Sequence, residues 1–132
     1  MAAVGGVDVE LELIGWLQQR LGDEVWVRDE LDNNLLATLP TVQVQRVGGT
    51  DDGFRLDRTL VDVDVYAATR GAAIALAATV RGLLLTVLRG STTRTAVVAD
   101  VATVSAPAIR PYENTALRRC GATYSLAIHP VS

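Results

Sequence analysis

The chain has 132 residues, 49% of them apolar, and a net charge of −3; this is enough to bury the core of one domain and too acidic for tight, sequence-independent DNA binding, which needs clustered cations to displace counterions. All 12 basic residues are arginine, whose planar fork pairs bidentately with carboxylates and stacks on rings. The lone cysteine, Cys120, excludes an internal disulfide and a multi-cysteine zinc site.

The first eight residues lack the cationic start and apolar stretch of a signal peptide, so the chain is expected to stay in the cell that makes it. A first helix is predicted over residues 9–21. Asp8 is its N-cap, Glu10 and Glu12 lie at the positive end of the dipole, Arg20 is in the last turn and Gly22 follows the end. Its apolar residues, Leu13, Ile14, Trp16, Leu17 and Leu21, recur at three and four positions and should lie on a sheet. A short strand at 25–27 precedes a polar, Asn-containing loop that ends at Pro40. Strict alternation of Val42 and Val44 with Gln43 and Gln45 predicts a strand over 41–47, which Gly48 and Gly49 should terminate. Residues 50–55 form a hairpin tip, since Asp52-Gly53 accepts the positive backbone angles of tight turns. The return strand, 56–67, sets Val61, Val63 and Val65 on one face and Leu60, Asp62, Asp64 and Tyr66 on the other.

A second helix is predicted over 70–88 and is apolar nearly all round, so it must be covered on several sides. One sheet and one other helix supply little cover in a chain of this size, and a neighbouring subunit is the natural third. The stretch is not expected to span a membrane, because Arg81 interrupts it and alanine supplies much of its apolarity. Two further strands are predicted near 96–104 and 122–128, the latter with Tyr124, Leu126 and Ile128 inward, and between them runs a long aperiodic connection, 107–119. The order is α-β-β-β-α-β-β: one α+β domain over residues 1–132, with two helices on a mixed or antiparallel sheet of about five strands.

No catalytic or cofactor signature is present. Asp62 and Asp64 share a strand face but have no third oxygen ligand or histidine at useful spacing, so they read as an exposed polar face. Asp51 and Asp52 read as turn formers, because the further acids of a calcium loop are missing. His129 has no nucleophile or orienting acid beside it and reads as a strand-end surface residue. Arg118 and Arg119 would lower the pKa of Cys120, but a small, partly buried thiol is the favoured reading. Gly48-Gly49 matches no phosphate loop. Loops carry recognition, so the tip residues Asp51, Asp52, Phe54 and Arg55 and the connection residues Arg110, Tyr112, Arg118 and Arg119 are the candidate interface. For the three arginines, pairing with carboxylates of another subunit is favoured over contact with phosphate.

The run LPTVQVQRVGG at residues 39–49, a short acidic turn, LDRTLVDVDVY at 56–66 and then an alanine-rich helix resemble the tail-terminator proteins of long-tailed bacteriophages, of the lambda type. In that family a proline-led strand ends in Arg-Val-Gly-Gly and an alternating Val-Asp-Val strand precedes an Ala/Leu helix. The resemblance extends from the first helix through Tyr112, Glu113 and Asn114 to the final strand, YSLAIHP at 124–130. It implies a structural virion protein, not an enzyme and without cofactor or metal. Such subunits form a hexameric ring at the head-proximal end of the tail tube, stop tube polymerisation and present a surface to the neck or head-completion protein. By the same resemblance the chain would be assembled in the host cytoplasm, and packaged DNA would pass through the ring without specific binding. A head-side neck protein shares the size and ring habit, and a small DNA-binding module is the alternative from another class.

Overall fold

The computed structural model describes residues 6–53 and 56–131. Within them lie α1 (Val9–Leu21), β1 (Trp26–Arg28), a 3₁₀ turn (Leu35–Thr38), β2 (Thr41–Asp51), β3 (Asp57–Ala67), α2 (Arg70–Leu83, continued by a π turn, Leu84–Leu88), β4 (Ala96–Arg110) and β5 (Arg118–Pro130). This is the α+β order read from the sequence.

Each helix starts where a side chain can satisfy its free N–H groups. The Leu11 N–H donates to Asp8 Oδ1 at 3.1 Å, and the Ala72 N–H donates to Thr69 Oγ1 at 3.1 Å. Gly22, with φ 85°, ends α1, its N–H returning to the Gln18 carbonyl. The last turn of α2 widens, so that the Arg89 N–H reaches back to the Leu84 carbonyl at 3.2 Å.

The five strands form one sheet in the order β1-β2-β3-β5-β4, with β1 parallel to β2 and every other pair antiparallel. Both helices pack on one face, α1 over β1 and β2, and α2 over β3, β5 and β4. Between helices and sheet lies the core, where Leu17, Val42, Val44, Val61, Leu84 and Leu126 are buried; each such side chain contributes about 1.5–3 kcal/mol on leaving water. Tyr124, Leu126 and Ile128 point inward, as their alternation required.

The structure departs from the sequence reading in three places. Gly48 and Gly49 do not end β2; they sit inside it at a register shift between Arg46 and Gly48, with φ 141° and 133°. A Cβ on Gly49 would collide with the Arg58 carbonyl, so glycine here lets the strand slip and continue. Second, β4 and β5 run well past the predicted ends and shorten the connection to residues 111–117. Three register irregularities between Val98 and Ala108 absorb the broken alternation that made this stretch read as a loop. Third, the sheet face opposite the helices is covered at one end. Leu35 and Leu117 pack there on Tyr66, with Leu31, Leu39 and Tyr112 around them, and Asp64 is only 8% exposed.

The sheet buries a single stripe of α2, made of Ala73, Ala77 and Val80 and continued by Leu84 and Leu88. Ile74 and Val87 stay 38% and 46% exposed. By length and mean hydropathy, 1.9, Arg70–Leu88 would suffice to cross a bilayer, but its inward stripe is committed to the sheet.

Candidate interaction surfaces

The β3 arm of the β2–β3 hairpin is paired with β5 along its whole length, and the stem of the hairpin is held by charge. Arg46 Nη1 and Nη2 donate to Asp57 Oδ2 and Oδ1 at 2.6 and 2.7 Å, and the Arg46 N–H donates to Glu10 Oε2 at 2.7 Å. The bidentate guanidinium–carboxylate pair is directional and ties β2 to β3, and the Arg46 N–H bond to Glu10 holds the hairpin against the first turn of α1. Nothing in the local pattern announced it, since the partners are 11 and 36 positions apart. At the tip both acids form the turn: Asp51 Oδ1 accepts from the Gly53 N–H at 2.7 Å and Asp52 Oδ1 from the Leu56 N–H at 3.0 Å. Phe54 and Arg55, also expected to dock from this tip, lie outside the described residues.

The arginines of the second candidate region do three different things. Arg110, at the end of β4, reaches across Gly121 to Asp64, Nη1 to Oδ1 3.7 Å. A Cβ at Gly121 would clash with that carboxylate and meet Arg110 Nη1 at 2.8 Å. Arg119 donates through Nη2 to the Pro111 carbonyl at 2.8 Å, and its guanidinium carbon lies 5.5 Å from the centre of the Tyr112 ring. Tyr112 meets Tyr66 edge to face at 5.2 Å, and the Tyr66 hydroxyl donates to Gln43 Oε1 at 3.1 Å. Tyr112 and Arg119 thus brace the 111–117 loop from within the chain, while Arg110, its side chain 33% exposed, pairs with Asp64. Arg118 alone of these faces solvent, capping the carbonyls of Thr115 and Leu117 at 2.8 and 3.0 Å.

Burial pushes the Asp64 carboxyl above the usual carboxylate range, against the opposing pull of Arg110 and Arg119. Asp62 is less enclosed and accepts from Thr123 Oγ1 at 2.5 Å. The two acids therefore do not form the exposed pair that strand periodicity suggested, because Asp64 pairs instead with the arginine that crosses Gly121. Alternation places residue 121 on the Asp64 side of the sheet, and a glycine in a strand marks a close approach; that was the available signal. Cys120 is buried, and burial pushes its thiol up despite the nearby Arg110. His129 is half-buried, its Nδ1 3.0 Å from the Pro130 carbonyl. Among the described residues no three His, Cys, Asp or Glu side chains converge on a possible metal site.

The remaining surface of note is apolar. A groove of about 710 Å³ runs between the outer flank of α2 and the far half of β4, lined by Ile74, Leu85, Pro107 and Ile109 with Arg70 and Arg81 at its margins. The third cover that α2 seemed to need on sequence grounds is thus still open in the isolated subunit.

A family model described as phage tail termination protein matches residues 5–106, from α1 into β4. No curated protein matches the chain.

Proposed function

The chain belongs to the phage tail termination protein family, and on that premise we propose that it closes the head-proximal end of the tail tube as a ring of six identical subunits. Its role is a structural one in the bacteriophage tail. The ring would end tube polymerisation and offer its outer surface to a neck or head-completion protein, after assembly from free subunits in the host cytoplasm. The observation that carries this reading is the family match over residues 5–106. Two features support it. The flank of α2 is apolar and open. The two outer strands, β1 and β4, are unlike each other, and closure of a ring needs two different patches per subunit. Excess acid, −3 per subunit, would repel phosphate and let DNA pass the opening without specific binding.

Electron microscopy of tube protein polymerised with and without the purified chain tests this. Capped tubes of limited length are expected with it and overgrown tubes without it. If tubes grow identically in both and the chain never decorates their ends, the reading is wrong.

A further inference from the structure

Charge in this chain is segregated between the two edges of the sheet. Residues 8–32 hold eight acids against two arginines, and residues 65–99 hold four arginines and no acid. The acidic stretch builds α1, β1 and the loop beyond it; the basic stretch builds α2 and leads into β4. Strands β1 and β4 are the opposite outer strands of the sheet, so the acids flanking β1 lie at the opposite edge from Arg70 and Arg81 beside β4, although Glu12 of α1 and Arg94 line one shared hollow.

Each region also exposes apolar surface. At the acidic edge Trp26 and Leu36 are 42% and 50% exposed, with Asp23, Glu24, Asp29 and Glu30 near them in the chain. At the basic edge lies the α2–β4 groove, with Ile74 38% and Ile109 36% exposed between Arg70 and Arg81. The salt bridges among the described residues are Arg28–Asp32, Arg46–Asp57 and Arg110–Asp64. Arg70 and Arg81 are in none of them, and neither are Asp23, Glu24, Asp29 and Glu30. Arg81 Nε is in addition buried without a hydrogen-bond partner, which is costly unless something else satisfies it.

We infer that, within the ring proposed above, the acidic edge around Trp26 of one subunit docks into the α2–β4 groove of the next. A second copy of this chain is the occupant that the charge complementarity favours. The patches are opposite in sign, both have an apolar centre, and they lie on opposite edges, so each subunit presents one to each of two neighbours. A two-fold dimer would instead need one patch complementary to itself. Opposite charges around an apolar anchor steer and orient such a contact, and an exposed tryptophan is the residue type that most often supplies the anchor.

The test measures oligomeric state by sedimentation and light scattering, both in solution and on tube ends. A Cβ at Gly82, on the groove wall, meets nothing within 4 Å and needs no unusual backbone angle, so Gly82→Trp plugs the groove without entering the core. Trp26→Ala is expected to weaken association about 30-fold or more, and Gly82→Trp to abolish it, each with the melting temperature nearly unchanged. Arg70→Glu with Arg81→Glu puts acid at the groove as well as at the β1 edge, and reversal of all four acids, Asp23→Arg, Glu24→Arg, Asp29→Arg and Glu30→Arg, leaves excess base at both. Each multiple variant alone should stay monomeric, and a 1:1 mixture should recover rings of alternating subunits, because both kinds of contact are then complementary again. Wild-type rings that persist in Gly82→Trp and in both charge reversals overturn this pairing and leave the ring itself standing. A wild-type chain that is monomeric throughout and absent from tube ends overturns the ring, and the pairing with it.

Discussion

Removing the Arg110 guanidinium by Arg110→Ala should destabilise the subunit in a pH-dependent way. Asp64 Oδ1 is buried and has no hydrogen-bond partner, so the guanidinium 3.7 Å away is its main compensation. Two unit charges at that separation attract by about 4 kcal/mol at an effective dielectric of roughly 20. The Asp64 side chain is 11% exposed but that of Arg110 is 33% exposed, so solvent screening and the desolvation already incurred reduce the net loss to about 1–3 kcal/mol. For a chain of this size that lowers the melting temperature by about 4–10 °C. The pH dependence follows from the direction of the Asp64 shift. Its folded pKa lies above the unfolded one, so its contribution is fully present below the ordinary carboxylate value and is lost as pH rises through the folded value. Arg110 is the largest influence holding that folded value down, so Arg110→Ala raises it further and deepens the loss at neutral pH. Circular-dichroism melts should therefore show the full deficit near pH 7 and a smaller one near pH 4, and adding Asp64→Asn should flatten the difference. Equal deficits at both pH values, or a variant that melts with the wild type near pH 7, would refute the reasoning.

In urea unfolding, Gly49→Ala should cost about 2–3 kcal/mol, because its Cβ meets the fixed Arg58 carbonyl at a positive φ, whereas Gly82→Ala should stabilise α2 by up to about 1 kcal/mol. Arg118→Glu should change stability by about 0.5 kcal/mol or less, while Arg119→Glu, which loses the Pro111 bond and the Tyr112 ring, should cost about 1–2 kcal/mol; equal thermal melts for the two would contradict the separate roles assigned to them. If the 111–117 loop docks a partner, Arg118→Glu should still reduce tube capping in the microscopy assay. Burial pushes the Tyr124 phenol up to about 12, so it should ionise last in an ultraviolet absorbance titration. The unfolded chain releases that proton first, so the Tyr124 contribution is intact below about pH 10 and falls as pH rises towards 12.

The sequence by itself determined what depends on neighbouring residues. The bounds of α1 follow from Asp8 and Gly22, the inward rows of β3 and β5 from period-two alternation, and the element order from both. Its over-apolar second helix also announced an open flank, which survives as the α2–β4 groove. Only the tertiary structure decided what depends on residues far apart in the chain. Gly48 and Gly49 look like an end, but β3 supplies a partner on which β2 can slip and continue. The stretch ending at Arg110 looks aperiodic until β5 pairs with it through three irregularities. Asp64 looks solvated until Gly121 leaves room for Arg110 to cross to it, and only the folded chain brings Arg119 beside the Tyr112 ring and the Pro111 carbonyl. Local patterning fixes hydrophobic faces and helix ends because those are near-neighbour effects. Which charge is paired, and which apolar flank is left open, is set by contacts that exist only once the sheet has formed.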